Sequence, residues 1–256
     1  MLRRTVLLSA LSLPFVRPVA AEATAARVAA VVDGDTLRLA DGREVRLVGI
    51  QAPKLPLGRR NFPTWPLADE AKAALEGMAL NRTVRLRPGE TPMDRHGRVL
   101  AHVDVEGGPW LQGEMLGRGM ARVYTFADNR QRASELYARE RTARAAGSGI
   151  WSQRYYRVRN AASDVKELAQ SEGTFQLVEG RVLDIGETQQ RTYLNFGEDH
   201  REDFTVTVPS KARALFRSAG LGLAGLRGRD VRVRGWLKRL NGPMIEINHP
   251  EPIEVL

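Results

Sequence analysis

The sequence predicts a β-rich α+β protein made of two units in one chain. Short segments with apolar alternation, bounded by turn residues, recur along its length. Few stretches have helical spacing, and a polar connector at 154–172 separates two groups of strands. The chain has no cysteine, which excludes a disulfide framework and any cysteine-ligated metal. With 43% hydrophobic and 27% charged residues, the composition is that of a globular protein rather than a disordered one.

The first element is an address. Arg3 and Arg4 precede an apolar run at 5–16, followed by the small-residue stretch PVAAEA. This order describes a secretory signal over 1–23, with cleavage after Ala21 or Ala23. The run of about 12 residues falls short of the ~20 that a spanning helix needs. The expectation is an exported protein, periplasmic or extracellular, with no stable membrane span after cleavage. The paired arginines also weakly resemble a twin-arginine export signal.

The first unit is expected over 24–153. Strands are predicted at 26–32, 35–39 and 44–50, with a tight turn at Asp41-Gly42. Leu67, Ala71, Ala74, Leu75 and Met78 predict a helix over 67–80, with Asp69 and Glu70 suited to its first turn. Strands follow at 82–87 and 99–105, then a helix at 110–117 and a strand at 121–126. An arginine-rich helix spans 130–145 and ends before Gly147 and Gly149. Its glutamates suit i, i+4 pairs, Glu135 with Arg139 and Glu140 with Arg144, which makes it a solvated helix.

The connector contains a short helix at 162–170. The second unit, 173–256, has strands at 175–183, 191–196 and 203–208, a helix at 209–219, and strands at 231–239 and 244–248. Three strands, a helix and two strands match a five-stranded Greek-key barrel of the OB type.

Charge narrows the partners. Lys+Arg number 39 against 30 Asp+Glu, a formal +9. Only five of the basic residues are lysines. An arginine-dominated excess suits phosphate or nucleic acid; arginine-rich codon usage gives the same count. Removing 1–23 leaves +7, because Arg3, Arg4, Arg17 and Glu22 go.

Three segments carry the chemistry: Val32-Asp33-Gly34-Asp35-Thr36-Leu37, then Val45 to Lys54 (VRLVGIQAPK), then Asp94-Arg95-His96-Gly97-Arg98. In this order and spacing they resemble the staphylococcal-nuclease (thermonuclease) family, over roughly residues 26–152. WLQGEMLGRGMARV at 110–123 and Gly149-Ile150-Trp151 support it. The resemblance implies an OB-type barrel with helices and calcium-dependent hydrolysis of phosphodiester bonds in DNA or RNA. Such chemistry uses cations against the charge at phosphorus, a carboxylate on the attacking water, and guanidinium forks on the phosphate.

Position by position, the resemblance makes Asp35 a retained calcium ligand and Arg46 and Arg98 the phosphate-gripping arginines. The second acidic ligand falls on Gln51, a backbone carbonyl ligand on Ala52, and the general base on Lys54. Two of three acids are thus replaced, and the three positions sum to zero charge rather than −3. Calcium prefers several charged oxygens. A lysine ammonium about 5 Å from a divalent cation opposes it by roughly several kcal/mol. Calcium binding is therefore expected to be weak or absent, and the cofactor is calcium by resemblance or none.

Arg46, Arg98 and Lys54 remain as a phosphate-binding cluster, with Lys54 also readable as a plain surface lysine. Glu70, Asp94 and His96 are substitute bases in principle, yet each has a plain structural role at a helix start or turn. The insertion 55–66 carries Arg59, Arg60, Phe62 and Trp65. It is either a substrate loop or a proline-stiffened loop docked on its own barrel. In the second unit, Arg232, Arg234, Trp236 and Lys238 alternate onto one strand face, a candidate single-strand nucleic-acid surface; the other reading covers Trp236 with the first unit. The sequence thus points to an exported nucleic-acid-acting protein with weak or altered hydrolysis. The alternative is a catalytically inactive binding or scaffold protein of the cell envelope.

Overall fold

The computed structural model describes residues 24–256, so the expected signal at 1–23 lies outside the described residues. Five strands form the first sheet: β1 (Thr24–Asp33), β2 (Thr36–Leu39), β3 (Glu44–Leu47), β5 (Thr83–Met93) and β6 (Val99–Val105). They close into a barrel in the order β1-β2-β3-β6-β5. All pairs are antiparallel except β3 with β6. β1 serves two partners, pairing β5 through Thr24–Arg27 and β2 through Val28–Asp33. Register shifts after Val28 and Val31 bend it between them, the usual way a bulged strand turns a barrel corner.

Inward residues such as Leu37, Leu39, Val45, Leu47, Val84, Leu86 and Val103 are buried in one core. Helix α1 (Ala68–Ala79) adds Ala71, Leu75 and Met78 to it, and α2 (Leu111–Gly117) adds Leu111 and Met115. Gly34 permits a close approach: a Cβ there would stand 2.7 Å from the Cβ of Ala52 and 2.8 Å from that of Ala71. The Asp33-Gly34-Asp35 turn therefore lies tight against both α1 and the loop bearing Ala52.

Several elements are shorter than the sequence predicts. Leu67 and Arg132 adopt left-handed backbone conformations, so α1 begins at Ala68 and α3 (Ala133–Ala145) at Ala133. The expected strand at 121–126 is reduced to β7 (Arg122–Val123), paired with β4 (Ile50–Gln51). β5 instead runs past Arg87 to Met93, with an irregular register against β6 after Pro88.

The connector carries β8 (Arg159–Asn160) and α4 (Val165–Gln170). Beyond it lie β9 (Phe175–Arg181), β10 (Asp184–Glu187), β11 (Arg191–Asn195), β12 (Thr205–Pro209), α5 (Arg213–Ser218), β13 (Asp230–Leu240), β14 (Gly242–Glu246) and β15 (Ile253–Val255). These strands form an eight-stranded sheet of order β10-β11-β12-β14-β13-β9-β8, with β15 on β13. The five-stranded OB-type barrel expected here is not confirmed as a closed ring. The first strand breaks after Arg181 into β9 and β10, and β8 and β15 add edges. The pairing order otherwise follows that of the first barrel, including one parallel pair, β12 with β14.

The units share a polar seam. Glu140 of α3, fully buried, accepts from Arg234 of β13 at 2.8 and 2.9 Å, from Val123 N at 2.5 Å and from Arg144 at 2.7 Å. Arg234 also reaches Glu254 at 2.7 Å. Tyr137 donates its hydroxyl to Glu251 O, and Arg130 pairs with Glu251. α3 is thus not the solvated helix its composition suggests, and Glu135 pairs with Arg132 rather than Arg139. Arg234 is correspondingly not part of an exposed basic face: the first unit covers it, leaving it 2% exposed.

Removing one partner of a buried, hydrogen-bonded ion pair leaves an uncompensated charge. Arg234→Ala is expected to lower stability by about 3–5 kcal/mol, read as a fall in the urea midpoint. A loss below 1 kcal/mol would show that the seam is not held this way.

Candidate functional site

The site grows from the end of β1. Asp33 Oδ1 accepts from Asp35 N at 3.1 Å, which shapes the turn around Gly34. Asp35 then points inward with no exposed surface. Its Oδ2 accepts from Ala52 N at 2.7 Å, and Thr36 Oγ1 donates to Oδ1 at 3.3 Å. Arg46, on β3, lays its guanidinium along the same wall. It donates to the carbonyls of Leu47 and Ile50 at 2.7 Å each and of Asp35 at 3.3 Å, and lies 3.1 Å from Asp35 Oδ2.

β4 and the Ala52-Pro53 pair bring Lys54 over this carboxylate. Its Nζ stands 2.6 and 2.7 Å from the two Asp35 oxygens and 3.1 Å from Asp33 Oδ2. Two acids and two cations balance. Burial pushes the Asp35 carboxyl upward, but Arg46 and Lys54 outweigh it and hold the group well below the usual carboxylate range. Asp33 moves the other way, raised by burial and by its neighbour Asp35.

Gln51 faces elsewhere. Its Oε1 accepts from Arg122 Nε at 3.0 Å and Nη2 at 2.8 Å. Arg122 donates further to Phe175 O at 3.1 Å and stacks near the rings of Trp65, Tyr156 and Phe175. Burial lowers its pKa to about 10.

These contacts decide the metal question. Both oxygens of Asp35 touch an ammonium, and the Gln51 oxygen is held by two guanidinium N–H groups. Calcium needs several free, anionic oxygens. The residues present do not fit calcium.

A cleft of about 540 Å³ opens above the cluster, with Asp33, Arg46 and Lys54 on its wall and Arg59, Arg95 and Arg98 around it. Arg98 pairs with Asp94 at 2.6 Å, and Asp94 also accepts from the backbone of His96 and Arg98. Asp94 therefore shapes the turn. His96 lies exposed beside Arg95, and Glu70 is exposed in the first turn of α1. Lys54 is not a free surface lysine: its side chain is 18% exposed and its ammonium is turned onto the acids.

The insertion loop docks inward. Trp65 packs with Ile150 and Tyr156, Phe62 stacks on Trp65, and Arg59 lies 3.5 Å over the Phe62 ring. Its aromatics are therefore part of the first unit's packing rather than a substrate platform. In the second unit, Arg232 pairs with Glu179 and Glu254, and Lys238 with Glu246. Trp236 is 38% exposed and donates Nε1 to the Tyr124 hydroxyl at 3.0 Å. The four alternating residues do not form one free basic face. Two participants escaped the sequence reading: Asp33, signalled by its place two before Asp35, and Arg122, signalled by a lone cation in the apolar run MARV.

Comparison with known proteins agrees with this architecture. A family model described as staphylococcal nuclease homologue matches residues 44–153. A probable endonuclease LCL3 of Paracoccidioides lutzii is 34% identical over 119 residues, 42% of this chain and 33% of that protein. An uncharacterized endonuclease of Escherichia coli is 30% identical over 129 residues, 49% of this chain and 76% of that protein. The chain thus spans about a third of the length of the Paracoccidioides relatives.

Lys54→Met tests the charge balance. Asp33 and Asp35 are left facing each other with Arg46 alone, which is expected to cost about 3–5 kcal/mol near pH 7. In the wild type the depressed Asp35 contributes stability above pH ~4 and loses it as pH falls further, while the raised Asp33 opposes it. In the variant the acids gain by protonation, so part of the loss returns as pH drops from 7 toward 5. Urea unfolding across this range reads the slope, and parallel curves for both proteins would refute the arrangement.

Proposed function

The chain belongs to the staphylococcal nuclease family, and from that premise we propose that it is an exported nucleic-acid-binding protein that grips phosphodiesters without calcium. Its relatives' names point to nuclease activity and so to nucleic acid as substrate or ligand. The observation that carries the proposal is the Lys54 ammonium on the Asp35 carboxylate. It places a fixed protein cation against the acid that the family resemblance assigns to the metal.

The chemistry follows from what each group has left to offer. Arg98 is the more open of the two gripping arginines, at 31% side-chain exposure against 12% for Arg46. A phosphate entering the cleft meets Arg98 first, while Arg46 and Lys54 behind it are balanced by Asp35 and Asp33. Guanidinium groups bind phosphate oxygens as bidentate forks. No carboxylate in this cluster is free to take a proton from water: Asp35 is doubly ion-paired and Asp33 shares Lys54. Tight binding without turnover is the outcome.

A second reading rests on one observation, the upward shift of Asp33 at the cleft wall. A carboxylate of raised basicity suits a general base, and metal-free hydrolysis would then run through it.

Gel and anisotropy assays on labelled DNA and RNA separate the two. Binding is expected in EDTA, with log affinity falling linearly with log salt. No cleavage is expected in calcium, magnesium, manganese or EDTA. Arg98→Ala is expected to weaken binding by roughly tenfold, about the worth of one charge-assisted phosphate contact. Cleavage abolished by Arg98→Ala would overturn the binding-only reading, and its loss in Asp33→Asn would favour the second.

Export rests on the expected signal at 1–23. N-terminal sequencing of protein from the envelope or medium is expected to begin at Glu22 or Thr24. A protein still beginning at Met1 would refute cleavage.

A further inference from the structure

Four rings run from the phosphate cleft into the second unit. Phe126, Tyr124, Phe175 and Trp236 follow one another with centroids 4.7, 5.1 and 5.9 Å apart, each pair edge-on. Phe175 is buried, but the two ends are open: Phe126 is 47% exposed and Trp236 is 38% exposed. The bond from Trp236 Nε1 to the Tyr124 hydroxyl ties the run across the seam.

The cavities follow the same line. The cleft of about 540 Å³ ends on Tyr124 and Phe126. A second cavity of about 230 Å³ begins on the same two residues and continues along Trp236 and Lys238. The two are successive grooves on either side of one aromatic ridge. Arginines flank the first, and Lys238, with its side chain 54% exposed, borders the second.

We infer that this ridge carries single-stranded nucleic acid from the phosphate cleft across the seam, with unpaired bases stacking on Phe126 and Trp236. The inference rests on the phosphate-binding reading of the cleft and adds strandedness and a second contact zone to it. Stacking explains why large rings are left open at both ends of the run. A base offers its face only when it is unpaired or splayed out, and such contacts tolerate any sequence. The arginines beside the first groove match the phosphates between the bases, while Lys238 at the second is held by Glu246 at 3.1 Å. Arg232 and Arg234 take no part, because both are spent on carboxylates.

The test is anisotropy titration of the full chain with labelled oligothymidylates of increasing length and a duplex of matched length, in EDTA. Affinity is expected to rise with length until the second groove is filled, and single strands are expected to bind better than duplex. Phe126→Ala and Trp236→Ala are each expected to weaken the longest oligomer by roughly tenfold, within the range measured for base–aromatic stacking. Trp236→Phe keeps a stacking ring, loses the bond to Tyr124 and is expected to restore most of the affinity. Leu183→Ser, an exposed apolar residue away from the ridge, is expected to change nothing. Circular dichroism on each variant separates lost contact from lost fold. If oligomers bind but length, strandedness and both alanine variants make no difference, the ridge is not a binding surface and the cleft reading stands. If no oligomer binds at any length, both readings fall.

Discussion

A carboxylate without any exposed surface has to be neutralised where it stands, and the site is built around that requirement at Asp35. Isolated charge in a low-dielectric interior is too costly to persist. Arg46 meets the need from β3 and Lys54 from the loop after β4, so a barrel strand and a loop beyond it are tied to one turn. Arg46 is fixed by three backbone carbonyls at the barrel mouth. The position of Lys54 follows: with Asp35 and Asp33 close together, a second cation is what makes their joint burial tolerable.

The same rule operates at the seam, with a different result. Glu140 is as buried as Asp35, and its main counter-charge comes from the other unit, through Arg234. A pair of this kind is weak evidence for net stability, since apolar residues of equal volume would do as well. It does fix geometry: the guanidinium fork admits one relative placement of α3 and β13. That placement aligns Tyr124 with Trp236 and sets the two grooves end to end.

What was legible beforehand divides along the same line between local and non-local information. The strands of the first barrel show in their alternation, and α1 in its 3.6-residue spacing, because both patterns are local. The short strands β8, β10 and β15 carry too few residues for any period to emerge. Positions 35, 46, 51, 54 and 98 were identifiable from motif order, but not their partners. Nothing near Lys54 in sequence announces that its ammonium will settle on Asp35, 19 residues earlier. The alternation of β13 was equally clear, yet the pattern states only that Arg232, Arg234, Trp236 and Lys238 share a face. It does not state that another unit covers Arg234 there. The arginine excess is correspondingly ambiguous as composition: many of these arginines are spent on internal carboxylates, and a few flank the cleft.

Arg122 joins these two halves. It holds the Gln51 oxygen with two N–H groups and the Phe175 carbonyl with a third, inside a cage of rings from the insertion loop, the connector and β9. Position 51, where the resemblance would place a metal ligand, is thereby part of the structure that docks the second unit. An aspartate at this position would meet a buried guanidinium before it met any ion. By the resemblance, the departure from an acidic pattern at Gln51 and Lys54 is therefore more than the loss of two charges. One position has been given to the seam and the other to a fixed ammonium, and each substitution is supported by contacts around it. Restoring the acids alone would leave Arg122 in place to hold the one at position 51 and would set the one at position 54 against Asp33 and Asp35.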